Sequence, residues 1–416
     1  MVSEEIATPI GLSLYTISDP SEILESGDVL DAFVNNWSKN PFSLSGFFIR
    51  FMKSNRVIGW TPFVLVIKAD EKIVGIAPLM KKKRLGQHFV QFFPHDGFSP
   101  DFIIDNQYRQ VCMRCFLEYL FTTLNCNFVS FNMDPESPNL EIIEQQCKVH
   151  GISFSARPQW EHRIIPVECT WDEFQKKKGR RRIIRQIERK LDQIGSWRIE
   201  QFENPSNRPD ILEKILNVEK LSWKESERKS TGIELDEETL LMIWEGSQTA
   251  ARNKQDFKWS IWFLQINCEI VAYTFAVKYK EKAFITTTSY DDHYRKFYVG
   301  KYITNIAVRD LFNEGQFKTI DFMGDSAFMS FWSSVLLSNV RVFMCKTNLA
   351  PLVKYLRSNS SLSRVSKDVL STTRLFKELS ALFDLMGDSE SCPCLNTVIE
   401  KLPSAVEQAK KFALEN

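Results

Sequence analysis

One order of elements occurs twice along this chain, and it narrows the available folds more than any single motif does. In the first half, Phe63 to Ile67 is an apolar run rich in β-formers. The turn Ala69-Asp70-Glu71-Lys72 and a second apolar run, Ile73 to Met80, complete the pattern of a hairpin. A helix is predicted over 107–124, with Val111, Cys112, Cys115, Phe116, Tyr119 and Leu120 on one face at a 3.6-residue period. Phe128 to Asn132 then reads as a buried strand stopped by Asp134-Pro135. In the second half, Trp259 to Ile266, Asn267-Cys268-Glu269 and Ile270 to Tyr279 repeat the hairpin, and Ala283 to Tyr290 adds a third strand. A helix over 300–314 follows, with Ile303, Ile306, Ala307 and Phe312 as core candidates and Gly315 as its stop. Thr319 to Met323 is a strand closed by Gly324-Asp325. Several elements recurring in one order predict the internal duplication of an α/β unit, beyond the alternation common to α/β proteins.

The chain of 416 residues is long enough for two or three domains. Its 53 basic and 52 acidic residues leave a net charge of +1, so no global field draws nucleic acid or a membrane surface. The nine cysteines are odd in number and without repeated spacing, which argues against a disulfide framework and for a reducing compartment. The acidic start Met-Val-Ser-Glu-Glu is not followed by a signal-like apolar region, and no apolar run reaches the ~20 residues of a membrane span. Cytoplasm is therefore the expected location. Nothing in the sequence fixes the oligomeric state.

Between the halves lies the most charged helix. Thr170-Trp171-Asp172-Glu173 reads as a capping box, Ile183, Ile184, Ile187, Leu191 and Ile194 form a narrow apolar stripe, and Gly195 ends it. From Trp171 to Lys190 there are nine basic residues and three acidic ones. The expectation is a solvated helix between domains, since no nucleic-acid module accompanies it. Helices are also expected over 210–227 and 237–253. After Tyr355 a Ser-rich linker over 358–366 leads to a helical tail containing Cys392-Pro393-Cys394. Two thiols without a nearby histidine do not make a zinc site, so no metal is expected.

Three groups of residues can carry chemistry. Phe297-Tyr298-Val299-Gly300-Lys301 joins a strand to a helix, where unpaired N–H groups and the helix dipole accept a pyrophosphate. Arg295, Lys296 and Lys301 add positive charge there, although a glycine at a helix start, taken alone, reads as a tight turn. Asp321 lies between Ile320 and Phe322 in an apolar strand, so it is either paired structurally or tuned as a general base. Tyr290, Asp291, Asp292, His293 and Tyr294 follow the third strand. Tyr290 is a candidate acid for a leaving thiolate and His293 a candidate base, against a solvated loop.

From about Ile164 to Arg357 these features resemble the CelD-like acetyltransferases of the GNAT superfamily, which are close to the FemAB-like transferases. The residues that carry the resemblance are the basic helix Arg180-Arg181-Arg182 through Leu191 to Gly195, Trp223 on a following helix, and the pair Tyr290-Asp291 ending a strand. The turn Phe297-Tyr298-Val299-Gly300, the strand Asp321-Phe322 and the turn Gly324-Asp325 complete it. In the first half, Ile73 to Met80 resembles the family's Val-Gly-x-x-Pro-Leu strand. Val299 stands where the family has proline, and Phe328-Met329 where it has Tyr-Lys.

The resemblance implies an α/β (α+β) fold of two tandem GNAT-like domains, each a mixed twisted sheet flanked by helices. The boundaries are an N-terminal domain over 1–165, the basic connecting helix over 166–200, a donor-binding domain over 201–357 and a helical tail over 358–416. It implies acetyl-CoA or another acyl-CoA as donor, lying against Ile285, Thr286 and Thr287 with its pyrophosphate at Arg295, Phe297, Tyr298, Val299, Gly300 and Lys301. The expected activity is acyl transfer to an amine or hydroxyl, in a small molecule, saccharide or lipid precursor bound between the domains, with Asp321, Tyr290 or His293 handling protons. Two alternatives stay open: a FemAB-like transferase drawing on aminoacyl-tRNA, and a non-catalytic module that keeps only the fold.

Overall fold

The structure, a computed structural model, describes residues 6–7, 11–53, 59–84, 87–93, 100–177, 179–205, 208–222, 235–252 and 256–346. Trp223, the linker over 358–366, the helical tail and Cys392-Pro393-Cys394 lie outside these residues.

The first half runs β1 (Ile6–Ala7), β2 (Leu12–Ile17), α1 (Pro20–Trp37), α2 (Ser45–Met52), β3 (Thr61–Ala69), β4 (Lys72–Arg84), β5 (Gln87–Phe92), β6 (Ile103–Ile104), α3 (Arg109–Glu118), β7 (Phe128–Met133), α4 (Leu140–Val149) and β8 (Ile152–Pro166). The second half runs α5 (Trp171–Lys177), α6 (Arg180–Ile194), β9 (Trp197–Glu203), α7 (Pro209–Leu221), α8 (Leu235–Arg252), β10 (Phe257–Ile266), β11 (Glu269–Tyr279), β12 (Lys282–Tyr290), α9 (Val299–Glu314), β13 (Thr319–Asp321) and β14 (Val335–Lys346).

Both predicted hairpins form, and both turn the same way. Asp70-Glu71 and Asn267-Cys268 each place two consecutive non-glycine residues at positive φ. That backbone matches the right-handed twist of a two-residue hairpin. In each half three antiparallel strands, β3-β4-β5 or β10-β11-β12, lead to a helix, α3 or α9. A parallel strand closes each series, β7 beside β5 and β13 beside β12. The sequence pattern missed β5, because the charged run Lys81-Lys82-Lys83-Arg84 masks the end of β4 and Gly86 is the lone turn signal before β5. The helix expected over 107–124 is α3 followed by a single π-helical turn, Tyr119–Thr123.

The two sheets join into one. The strand order is β1-β2-β3-β4-β5-β7-β14-β8-β13-β12-β11-β10-β9. The last described strand, β14, thus lies between two strands of the first half, pairing with β7 over Val340–Cys345 and with β8 over Val335–Lys346. In return, β8 pairs with β13 through Ile164, Ile165 and Pro166. These long polar-apolar strands gave little sequence signal, since their partners are remote in the chain.

Two helical layers flank the sheet. On one face, Ile23, Val34, Phe47 and Phe48 from α1 and α2 share a core with Ile211, Ile215 and Trp244 from α7 and α8 and with Trp259 and Phe275 from the sheet. The halves touch closely there. A Cβ on Gly46 would lie 2.9 Å from the Gly246 carbonyl oxygen, and one on Gly246 would lie 2.4 Å from the Phe47 ring. Tyr279 donates its hydroxyl to Asn35 Oδ1 at 2.7 Å across the same contact. On the other face α3 and α4 cover the first half, and α5, α6 and α9 cover the second.

The basic segment differs from the single solvated helix expected. Thr170 does form the capping box, with its N–H donating to Glu173 Oε2 at 3.0 Å. Gly179, at φ +63°, then breaks the helix in two. Ile184, Ile187 and Leu191 pack with α9 in the core, while Ile183 is 40% exposed. Arg180 is buried in place of Ile183, because after the break the helix presents a different face to the sheet.

Candidate active site

The parallel pairing of β12 and β13 is short. Lys282, Ala283 and Phe284 register with Thr319, Ile320 and Asp321, and the ladder stops there. β12 continues to Tyr290 while β13 ends, so the two strands part immediately beyond Asp321. On its other side β12 carries a register shift against β11 between Ile285 and Thr287, which sets Thr286 in a bulge with its hydroxyl donating to the Phe275 carbonyl at 3.3 Å. Bulges re-aim side chains and are frequent beside active sites.

The helix α9 begins at this opening. Tyr298 precedes it in the left-handed region at φ 59°, and no side chain caps its first N–H groups. Gly300 is buried because the Tyr290 ring lies directly on it: a Cβ there would meet Tyr290 Cδ1 at 2.5 Å. The glycine therefore seats Tyr290 as well as opening the helix. Beneath it the hydroxyls of Thr274, Thr288 and Thr304 form a triangle of 3.1, 3.3 and 3.2 Å, and Thr304 donates to the Gly300 carbonyl at 2.9 Å.

Cations surround the helix start. Lys301 Nζ sits 4.3 Å from the Phe331 ring centre and 5.8 Å from that of Tyr298, and Lys190 Nζ sits 4.9 Å from Tyr298. Burial holds the Lys301 ammonium below its ordinary pKa. Arg295 pairs loosely with Asp292 at 3.9 Å, and Lys296 lies over Phe297. Lys190, Lys296 and Lys301 form no ion pair among the described residues. An uncapped helix N-terminus with several uncompensated lysines is complementary to a phosphate group.

On the opposite sheet face, Asp321 accepts a hydrogen bond from the Met323 N–H at 2.7 Å and lies 2.8 Å from His162 Nδ1 of β8. Asp321 is 7% exposed. A carboxylate on Nδ1 favours the tautomer with the proton there, leaving the Nε2 lone pair as a base. No local sequence pattern marks His162. It reaches Asp321 only through the β8–β13 pairing, across 159 residues.

Residues 178–328 match the family described as "Acetyltransferase (GNAT) domain". This stretch, and not the whole chain, is thereby matched to a GNAT acetyltransferase domain. Among solved structures, it is similar to FemX at 13% identity and a TM-score of 0.52, over 79% of this chain and 96% of that one. It is also similar to the C-terminal domain of a putative lysylphosphatidylglycerol synthetase from Agrobacterium fabrum, at 10% identity and a TM-score of 0.50, over 82% of this chain and 98% of that one. At such identities the likeness is one of fold, and that fold spans both halves. Comparison with curated protein sequences gave no match.

Within the GNAT domain, the candidate residues separate into two groups. Ile285 and Tyr290 pack with the α9 side, as does Phe297. Phe284 and Met323, which flank Asp321 in register and sequence, pack with the α1–α7 side. Asp321 and Tyr290 thus occupy opposite faces of the sheet, with the strand opening between them. His293 joins neither group. Its side chain is 81% exposed, and its Nδ1 lies 2.7 Å from Asp291, which also accepts from the His293 N–H. That pair caps the turn after β12.

Phe328 and Met329, where the family has Tyr-Lys, pack against the core with Phe331 around the fully buried Trp332. Val299 is likewise fully buried. Arg180, from the matched basic helix, anchors this segment. It donates from Nε to the Phe331 carbonyl at 2.8 Å and from Nη2 to the Trp332 carbonyl, and stacks 4.4 Å from the Phe174 ring centre. Burial lowers its pKa to about 10. Arg180→Ala strands two carbonyl acceptors and empties a packed site, so a stability loss of about 2–4 kcal/mol is expected in denaturant unfolding. The exposed Arg182→Ala is expected to change it by less than about 0.5 kcal/mol.

Among the described residues there is no group of three His, Cys, Asp or Glu side chains suited to a metal, and no helix is long and apolar enough to cross a membrane.

Proposed function

We propose that the chain is an acyltransferase that moves an acyl group from acyl-CoA to an amine or hydroxyl of an acceptor held on the sheet face between the halves. The observation that carries this reading is the His162–Asp321 pair at the point where β12 and β13 part. The donor's phosphates fit the start of α9, with the N–H groups of Val299, Gly300 and Lys301 and the side chains of Lys190 and Lys301 as partners. A pantetheine arm is long and thin enough to pass between two splayed strands, past Ile285, Thr286 and Thr287. That brings the thioester to the face where Asp321 lies.

In the transfer, the acceptor nitrogen or oxygen attacks the thioester carbonyl and gives its proton to His162 Nε2. Asp321 holds the imidazole and stabilises the imidazolium that results. The C–S bond breaks, and the thiolate takes a proton from solvent. Phe328 and Met329 withdraw the family's hydroxyl and cation from this role, so the chain relies on His162.

Isothermal titration with acetyl-CoA and CoA tests the donor. Saturable binding is expected, weakened about tenfold or more in Lys190→Glu/Lys301→Glu as charge-assisted contacts are lost. No binding of either compound sinks the reading.

A second reading has support of its own. The exposed Arg182, Arg185, Arg189 and Lys190 make a basic face on α6 that ends beside Tyr298. An aminoacyl-tRNA donor suits such a stripe, and it predicts a salt-sensitive tRNA gel shift abolished by neutralising those arginines.

A further inference from the structure

The sheet face that carries Asp321 also holds a row of polar side chains further along it. Gln91 of β5 registers with Ser130 of β7, Asn132 of β7 with Arg341 of β14, and Arg341 with Arg157 of β8. Register-paired residues share a face, so these side chains lie together. Arg341 donates from Nε to Ser130 Oγ at 3.0 Å. The Arg157 and Arg341 guanidinium carbons lie 5.2 and 5.1 Å from the Phe343 ring centre.

Like charges directly opposite one another on neighbouring strands destabilise a sheet. Here burial and the neighbouring Arg157 both depress the Arg341 pKa. The row therefore keeps two guanidiniums in a partly desolvated place, where an anion is held more strongly than in water. On the same face, Gln91 Nε2 and Asn132 Oδ1 are buried without a hydrogen-bond partner among the described residues. Gln91 is only 5% exposed. A buried amide donor left unpaired is costly, and an oxyanion would satisfy it.

The row also has a fixed relation to the dyad. Leu337, four residues before Arg341 on β14, registers with His162. At about 3.3 Å per residue the arginine pair lies roughly 13 Å along the sheet from His162.

We propose that the acceptor is an anion, whose phosphate or carboxylate group is gripped by Arg157 and Arg341 with Gln91 while its nucleophile, about 13 Å away, meets His162. The nucleophile end rests on the acyl-transfer reading. The anion site rests on the row itself.

Isothermal titration of the full chain with inorganic pyrophosphate and with succinate tests it, in the wild type, in Arg157→Gln/Arg341→Gln and in Lys190→Glu/Lys301→Glu. At least one anion is expected to bind and to lose about tenfold or more in affinity in the arginine variant. The lysine variant removes binding at the α9 start, and the arginine-dependent binding is expected to persist in it within about twofold. Pyrophosphate binding alone identifies a phosphate acceptor and succinate binding alone a carboxylate, and either supports the proposal. Binding unchanged in the arginine variant, or absent from the wild type, overturns it. If the double variant does not fold, Arg157→Gln alone carries the test with the same criteria. These outcomes do not depend on acetyl-CoA binding, so the two readings fail separately.

Discussion

Asp321→Asn is expected to lower turnover by about 10²–10⁴-fold, the usual range for loss of a positioned general base. The asparagine keeps the size of the side chain, and it can still accept from the Met323 N–H. It no longer holds a full negative charge 2.8 Å from His162 Nδ1, so the tautomer with Nε2 free loses its support and the imidazolium loses its counter-ion. Donor affinity is expected to stay near the wild-type value, because the proposed phosphate site at α9 lies on the other side of the strand opening. His162→Asn should cause a loss of the same order. The double variant should be little worse than either single one, since the two residues act as a unit. Steady-state kinetics paired with titration of CoA separates the cases. Full turnover in Asp321→Asn would leave the pair a structural link between β8 and β13. Lost turnover with lost CoA binding would assign the aspartate to holding the fold of the site.

Gly300→Ala is expected to destabilise the chain by about 1–3 kcal/mol, the usual cost of overpacking. At most helix starts this exchange is neutral or favourable, since alanine is the better helix former. Here the added methyl would stand 2.5 Å from Tyr290 Cδ1 and 3.0 Å from Cε1. The ring is fixed to β12, so either it or the first turn of α9 has to move. Donor affinity should fall with stability, since the N–H groups of that turn are displaced. Combining Gly300→Ala with Tyr290→Ala removes the clash and should restore part of both losses. A double-mutant cycle then reads a coupling of about 0.5–3 kcal/mol between the residues. Strict additivity would show that Gly300 serves the helix alone.

The two variants probe different kinds of sequence information. Gly300 was visible as a glycine between a strand and a helix, but its contact with Tyr290 was not, because nine residues separate the two. Asp321 was visible as a carboxylate in an apolar strand. Its partner was hidden, because His162 lies in a strand with mixed polarity that pairs with nothing nearby in sequence. The burial of Arg180 was hidden for a third reason. Periodicity places the buried stripe correctly only while the helix is continuous, and Gly179 resets the phase.

By itself the sequence determined what local physics controls. The hairpins, α9 with its stop at Gly315, the capping box at Thr170 and the order of elements in each half follow from period, turn residues and caps, all set within a few positions of one another. The repetition of that order determined the fold class, because each repeat needs the same partners to bury its apolar face. Only the tertiary structure decided how the repeats meet. β14 inserts between β7 and β8, β8 turns to pair with β13, and Gly46 lets α2 close on α8. Those pairings are between strands far apart in the chain, whose hydrogen bonds and side-chain contacts leave no periodic trace in either strand alone. They bring His162 to Asp321 and set Arg157 opposite Arg341, so the chemistry of the site is a product of the pairing rather than of any one motif.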